Sequence, residues 1–493
     1  MELVKNSYDR YVLLTQTEQI REESAEVIVP DTLADVYGVL TANAVCQIKQ
    51  RSLKKDALLL EGVVEMEAVC LTEEESCQFV RGSIPFSQEY ALPGCRPEDV
   101  AEVHLEPVRA EALLRNPRKL QLQTQLSLQA RVYQRQQLTL SEGLRGAPEE
   151  GVQTLTEQVE LEVLRAVAEK KVTAADEIRL NASGRLLQYE VEWRQEEQRI
   201  LTGKLMLRGN VCLRAVLLDG QETRVQEALI PYSQVMECES VESGDAVTVE
   251  YQTMQSQVSL LEGEQPTLSC SITGCAWAKA VRRQRFSVLQ DAYSTGYESE
   301  CTTEALNCPA PQQVETAIPV SQVFAAEEPA GRIVNCRWCA RGGAEEGRML
   351  GQYTFRVLYC CPRGRLHCVE HTVVVTAEEP VCLEQLSVRA CLRELICQAE
   401  SDGRISIRFR AVLQGRGQVC SSCRQVSACT LEKEKPRALP PAGTLVLRCA
   451  EPKETVWSIA RQYGARREEI LSANRLEEGS LKPGQLILIP FSR

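Results

Sequence analysis

The chain has 493 residues, a net charge of −12 and 44% hydrophobic residues, enough for about three or four domains that each bury a core. Acidic and basic residues are interspersed, whereas a nucleic-acid binder needs a basic stripe, so we expect no nucleic-acid partner. No run approaches the roughly 20 apolar residues of a membrane span. The first residues lack the apolar segment of a secretory signal, so we expect the chain to stay where it is made.

A short motif recurs along the chain. Ile-Pro-Phe-Ser-Gln at 84–88 returns as Ile-Pro-Tyr-Ser-Gln at 230–234, and each copy follows a glycine inside an alternating strand, Gly62 or Gly209. A third glycine of this kind, Gly351, has no such pentapeptide after it. A glycine inside a strand indicates a bulge or a close backbone approach. We therefore predict three copies, of which the third is the most diverged.

Each copy also has a late strand in which apolar and polar residues alternate. The first begins at Leu120, and its counterparts begin at Leu268 and Ile405. Alternation of period two is the signal of a half-buried antiparallel strand. We interpret each copy as a β-sandwich-like module, and place the modules at 20–140, 150–295 and 310–432.

The last segment, 443–493, changes period. Thr455 is placed to cap a helix, and Gly464 stands where a helix C-terminus favours glycine. A second helix is predicted to end near Asn474, and strands flank the pair. The order is βααβ, and the predicted fold class is multidomain and mainly β: three repeated β-sandwich-like modules followed by this small domain.

This segment resembles a LysM domain through Thr-Val-Trp-Ser-Ile-Ala at 455–460, Gly464, Asn474 and Pro-Gly-Gln-Leu-Ile at 483–487. Members of that family commonly bind N-acetylglucosamine-containing glycans through the loop before the first helix and the loop after the second. The resemblance implies a partner- or glycan-binding set in these two loops: Pro452, Lys453, Glu454, Thr455, Leu476, Glu477, Glu478, Gly479 and Leu481.

One pair departs from the glycan-binding pattern. Glycan binders usually carry Gly-Asp before the threonine, and this chain has Lys453 and Glu454. A long side chain there hinders the approach of a sugar ring. We therefore expect the loops to bind a protein in preference to a glycan. Trp457 is expected to be a core residue first and a contact residue second.

The repeats resemble the SPOCS domain of endospore-forming bacteria, through the Ile-Pro-aromatic-Ser-Gln box and the glycine-containing strand. Three such domains before one LysM domain is the layout of SipL-like spore-coat morphogenetic proteins. The resemblance implies an adaptor in the mother-cell cytoplasm, at the forespore surface and spore coat. It would join a coat-basement morphogenetic ATPase of the SpoIVA type, and other coat proteins, to that surface through its LysM domain. Binding of peptidoglycan, or of another N-acetylglucosamine glycan, is the alternative.

Cysteine is abundant, with 22 residues, most of them after Cys301. Two Cys-x-x-Cys pairs, Cys336 with Cys339 and Cys420 with Cys423, have a spacing that suits zinc. The pairs are far apart in sequence, so the zinc site is only a weak candidate and no metal is predicted. Reduced thiols that pack as small residues are the first interpretation, and oxidation during maturation is the other.

Catalytic signals are scarce. The chain has 3 His, no Gly-x-Ser-x-Gly elbow and no glycine-rich phosphate loop. We therefore predict a non-enzymatic protein without cofactors. Three function classes stay open at this point: a coat-assembly adaptor, a glycan binder and a metalloprotein.

Overall fold

The computed structural model describes residues 2–74, 77–145, 150–180, 184–219, 222–261, 263, 265–438, 445–477 and 481–491. These residues form mainly strands, with two short helices near the end of the sequence, and the mainly β fold class is confirmed. Neither helix is long and apolar enough to cross a membrane.

The first eighteen strands form three units of six strands each, and each unit repeats one topology. Unit one consists of β1 (Glu2–Ile28), β2 (Gly38–Lys54), β3 (Ala57–Leu71), β4 (Cys77–Ala91), β5 (Val100–Asn116) and β6 (Lys119–Arg145). Its sheets have the orders β1-β6-β5 and β2-β3-β4. All pairs are antiparallel, and the buried residues of both sheets share one core. Unit one is therefore a two-layer β-sandwich.

Units two and three follow the same order of pairing. Unit two consists of β7 (Val152–Arg179), β8 (Arg185–Leu201), β9 (Lys204–Asp219), β10 (Glu222–Glu237), β11 (Ala246–Leu261) and β12 (Thr267–Ser294). Unit three consists of β13 (Tyr297–Phe324), β14 (Arg332–Glu345), β15 (Arg348–Cys360), β16 (Leu366–Thr376), β17 (Glu384–Ala399) and β18 (Ile405–Pro436). The module bounds expected from the sequence, 20–140, 150–295 and 310–432, stay a prediction.

The repeated glycine faces the repeated aromatic residue. Gly62 on β3 lies opposite Phe86 on β4, and Gly209 on β9 lies opposite Tyr232 on β10. A Cβ added to Gly62 would lie 2.7 Å from the Phe86 ring, and one added to Gly209 would lie 2.9 Å from the Tyr232 hydroxyl oxygen. The preceding strand bulges beside each glycine. The glycine is therefore required because an aromatic ring and a bulged strand fill the place of its side chain.

In unit three the aromatic ring comes from another position. Gly351 lies opposite Val375, so no ring reaches it from the neighbouring strand. A Cβ on Gly351 would instead lie 2.8 Å from the ring of Tyr353, two residues along the same strand, and 2.7 Å from Leu413. The glycine is therefore present in all three units, but in unit three the ring that fills the place of its side chain comes from its own strand.

The first and last strands of each unit are the longest, and their extra length meets in an apolar stalk. One cluster of buried residues joins Leu138 and Leu140 of β6, Phe286 and Val288 of β12, and Cys308 of β13, with Cys423 of β18 packed against it. Three of these residues occupy equivalent places in the late strands. Leu138 lies as many residues after Leu120 as Phe286 lies after Leu268 and as Cys423 lies after Ile405. The stalk therefore brings equivalent positions of the three units together.

The remaining element is the small C-terminal module, with β19 (Val446–Cys449), α1 (Val456–Tyr463), α2 (Arg467–Asn474) and β20 (Leu486–Ile489). The two strands pair antiparallel. Both helices contribute to a core that includes Ile459, Ile470 and Ile487, each 0% exposed. The order is the predicted βααβ.

Candidate functional site

The loop before α1 is tightly built. Thr455 is the N-cap of α1, and its side chain accepts a hydrogen bond from the backbone N–H of Ser458 at 3.1 Å. The Ser458 hydroxyl in turn accepts one from the Thr455 N–H at 3.0 Å. This reciprocal pair satisfies two donors at the helix start. Thr455 is therefore fixed by the fold, although it remains exposed.

The two residues that depart from the glycan-binding pattern have different roles. Lys453 is exposed and has a φ of 68°, a left-handed conformation that favours glycine. The Glu454 carboxylate accepts hydrogen bonds from Arg448 Nη2 at 2.5 Å and from the Glu451 N–H at 2.8 Å. Glu454 therefore stabilises the loop from within, whereas Lys453 and Pro452 project from its surface.

The loop after α2 exposes fewer side chains for binding than the sequence predicted. Arg475 ends α2 with a φ of 52°, Leu476 is half-buried and Glu477 is exposed. Leu481, expected at the surface, is only 7% exposed and packs in the core of the module. Burial of this apolar side chain is favourable because it removes apolar surface from water. Glu478 and Gly479 lie outside the described residues.

A third surface of the C-terminal module packs against unit two of the same chain. Trp457 of α1 is 8% exposed and packs edge-on against Tyr293 of β12, with ring centroids 4.9 Å apart. Trp457 Nε1 and Arg461 Nη1 both donate to Asp291 Oδ2, at 2.8 and 2.7 Å. The Tyr293 hydroxyl donates to the Ala465 carbonyl at 2.6 Å. The module is thus docked on unit two, and Trp457 is buried between them.

The Cys-x-x-Cys pairs lie in different environments. Cys336 belongs with the core of unit three, while Cys423 packs in the stalk at the position held by Leu138 and Phe286 in the other units. Among the described residues, the metal-type cluster that does form contains none of the four predicted thiols. Cys301 and Cys429, opposite each other on β13 and β18, form a disulfide, a pairing that sequence spacing did not reveal.

A buried ionic junction lies where the three units meet. Lys279 of unit two donates to Glu102 of unit one and to Glu250 of unit two, each at 3.1 Å. Arg416 of unit three reaches the same carboxylates at 3.2 and 2.6 Å. His104 of unit one lies 3.3 Å from Glu102. All five residues are at most 8% exposed, so the junction is a closed charge network that spans the units.

Electrostatics keep both carboxylates of the junction ionised. Burial alone would raise the pKa of Glu102, but Lys279, His104 and Arg416 outweigh burial and hold that pKa well below its usual range. The pKa of Glu250 is lowered by Lys279 and Arg416 against burial and the neighbouring Glu102 charge. The ligand-type atoms of Glu102, His104 and Glu250 lie within 4.8 Å of one another. Two cations already neutralise these carboxylates, so the cluster is not suited to a metal ion.

The sequence contained a signal for this junction that the prediction missed. Arg131, Lys279 and Arg416 each follow the first buried residue of their late strand, Leu120, Leu268 or Ile405, by the same number of residues. All three are at most 7% exposed. A cation at one position of every repeat, with a small or apolar residue directly before and after it, marks the place where the units meet.

The histidines show no catalytic pairing within the described residues. His104 contacts Glu102, Gln252 and Arg416. His371 stacks on Phe324, and His367 on Tyr359. None of them hydrogen-bonds a serine or a cysteine in the described part of the chain.

The fold and the loops define a multi-unit β protein that carries a small helical binding module. In comparison with known families, residues 35–112 match SipL, SPOCS domain, and residues 451–490 match the LysM domain. The resemblance to SipL-like proteins with a LysM domain is thereby confirmed, and both matched domains are non-catalytic binding domains. The first match covers β2 to most of β5. No curated protein and no solved structure matches the chain.

Proposed function

We propose that the chain is a non-enzymatic adaptor of endospore coat assembly that joins a coat-basement ATPase of the SpoIVA type to the forespore surface through its LysM domain. The two matched domains fit a sporulation protein associated with the coat and with glycan-binding potential. The proposal goes further by assigning the partner, the adaptor role and a place in the mother-cell cytoplasm.

The turn at Lys453 is the observation that carries the choice of a protein partner. The lysine adopts a backbone conformation that favours glycine, and its side chain stands where a sugar ring would approach the backbone. Glu454, in place of the usual Asp, is engaged by Arg448 and the Glu451 N–H. The loop therefore offers a rigid, mixed surface of Pro452, Lys453 and Thr455 rather than an open backbone.

Binding of the purified ATPase to the full chain tests this proposal. We expect Lys453→Glu to weaken binding at least tenfold, because it reverses a charge at the centre of the proposed surface. Arg466→Glu is the matched control, since Arg466 is exposed at the turn between α1 and α2. Equal weakening by both variants, or no binding by the parent chain, would refute the proposal.

The LysM match supports glycan binding as the second candidate. Titration of the same full-length variants with chitin oligomers and peptidoglycan fragments separates the two. Micromolar glycan binding that Lys453→Glu abolishes, without ATPase binding, would favour a peptidoglycan or cortex binder.

A further inference from the structure

A cavity of about 140 Å³ lies between units one and three, beside the ionic junction. Gln16 and Thr17 of β1 and Arg131 of β6 line it from unit one, and Ser387 and Arg416 line it from unit three. Its volume is roughly ten times the smallest space that holds one water molecule. The cavity therefore has room for a small polyatomic ion.

Arg131 lines this cavity as a buried cation without a counterion. It is 7% exposed, and both of its hydrogen bonds come from Nη2, to Ser387 Oγ at 2.6 Å and to the Arg416 carbonyl at 2.8 Å. Both acceptors are neutral, and no carboxylate of the described residues forms an ion pair with Arg131. A buried charge of this kind is unfavourable unless it is paired.

The equivalent cations of the other units are paired. Lys279 and Arg416 share the carboxylates of Glu102 and Glu250. Three equivalent cations thus face two carboxylates, and the uncompensated positive charge is the one beside the cavity. The adjacent pair Arg389 and Glu106 is neutral by itself and leaves this balance unchanged.

A second unsatisfied donor belongs to a residue that lines the same cavity. Arg416 is 5% exposed, and its Nε is buried with no hydrogen-bond partner, although its two terminal nitrogens are engaged by the junction. A buried N–H without an acceptor is costly. An acceptor-rich anion in the cavity would satisfy this donor and the charge of Arg131 together.

We propose that this cavity binds a small oxyanion, held by the Arg131 guanidinium, with Arg416 Nε and the Ser387 hydroxyl as further donors. The anion completes the charge balance of the junction and bridges units one and three. A cation is disfavoured here because Arg131 and Arg416 both line the cavity. Two carboxylates also line the cavity. Glu102 is already paired with Lys279 and Arg416, and Glu18 is exposed and forms no ion pair with Arg131.

Thermal unfolding of the full chain in inorganic phosphate, against sodium chloride of equal ionic strength, tests the site. We expect a saturable rise in Tm with phosphate, because a ligand that binds only the folded state stabilises it. Sulfate and acetate arms show whether an inorganic oxyanion or a carboxylate is preferred. No saturable response to any of the three would overturn the proposal.

Variants test whether the rise in Tm with the anion depends on Arg131. Arg131→Gln should raise the apparent Kd for the preferred anion at least tenfold. Arg135→Gln is the matched control on the same strand, because Arg135 is exposed and paired with Asp9, and it should leave the response intact. Glu18→Gln should keep or strengthen binding, since it removes a nearby negative charge. A response that persists unchanged in Arg131→Gln would refute the assignment.

Arg131→Met guards against a folding artefact. It removes the uncompensated charge but keeps much of the side-chain volume, so we expect a folded chain with an unchanged or higher Tm in chloride. The rise in Tm with phosphate should be lost. Equilibrium dialysis with labelled phosphate gives a direct count of bound ions: one per parent chain and none in Arg131→Met supports the site, and equal counts contradict it.

Discussion

The three units meet in two places, and the chemistry of those places is opposite. In the stalk, equivalent positions hold Leu138, Phe286 and Cys423, which pack as apolar side chains of different size. In the junction, the equivalent positions hold the cations Arg131, Lys279 and Arg416, and two of them, Lys279 and Arg416, share two buried carboxylates. Apolar contacts tolerate such exchanges when the total volume is kept, whereas a buried ion pair requires its partner in place. We infer that the stalk provides adhesion and the junction fixes how the units are arranged.

Removal of one junction carboxylate should cause the largest loss in the free energy of unfolding. Glu102→Leu leaves Lys279 and Arg416 with Glu250 alone, and we expect the free energy of unfolding to fall by about 3–5 kcal/mol, as for other broken buried pairs. Urea unfolding measures the change. The double variant Glu102→Leu with Lys279→Met should recover part of the loss. A loss below about 1 kcal/mol for the single variant would show that the junction is not a closed network.

The stalk should respond according to volume alone. Phe286→Ala is expected to reduce the free energy of unfolding by about 3 kcal/mol, because it leaves a cavity. Cys423→Ala, at the equivalent position, should cost about 1 kcal/mol, since it removes a single half-buried sulfur atom. Thermal unfolding of both variants tests this order. Equal losses, or a larger one for Cys423→Ala, would indicate a role for that thiol beyond packing.

The C-terminal module is held on unit two through Asp291 and Tyr293. Asp291→Ala removes the acceptor of both Trp457 Nε1 and Arg461 Nη1, so about 1–3 kcal/mol of docking free energy should be lost. Hydrogen exchange across Val456–Tyr463 should become faster, while the sandwich strands keep their protection. Asp9→Ala, which removes an exposed ion pair, is the control and should leave the helix unchanged.

Lys453→Gly should have the smallest effect and the opposite sign. Glycine adopts the left-handed conformation of this position without strain, so we expect the module to gain about 0.5–1 kcal/mol. The same change removes the side chain that obstructs a sugar ring, and titration with chitin oligomers should then show stronger binding. A destabilised variant would mean that the lysine makes a contact that offsets its backbone strain.

The parts that the sequence predicted are those that depend on local periodicity and on motifs. Alternation located the late strands from Leu120, Leu268 and Ile405, and the helix caps Thr455 and Gly464 were recognised from residue type. Alternation also implies that one face of each strand is exposed to solvent. Around Arg131 that inference fails, because Ala130, Arg131 and Val132 are all buried: other units cover the second face.

The candidate site was also predicted only in part. The loops of the C-terminal module followed from the motif, and Lys453 is at the surface as expected. Leu481 was misplaced because a loop position in the sequence does not reveal whether its side chain turns inward. The docking of Trp457 on Tyr293 depends on residues far apart in the chain, so no local pattern reports it.

The disulfide between Cys301 and Cys429 has a consequence for the covalent topology of the chain. Its cysteines are 128 residues apart, so the bond closes nearly all of unit three into a covalent ring. A single protease cut inside that ring leaves both fragments attached to each other and to the C-terminal module until a reductant is added. On a gel, a chain nicked there will therefore migrate as one band without reductant and as two bands with it.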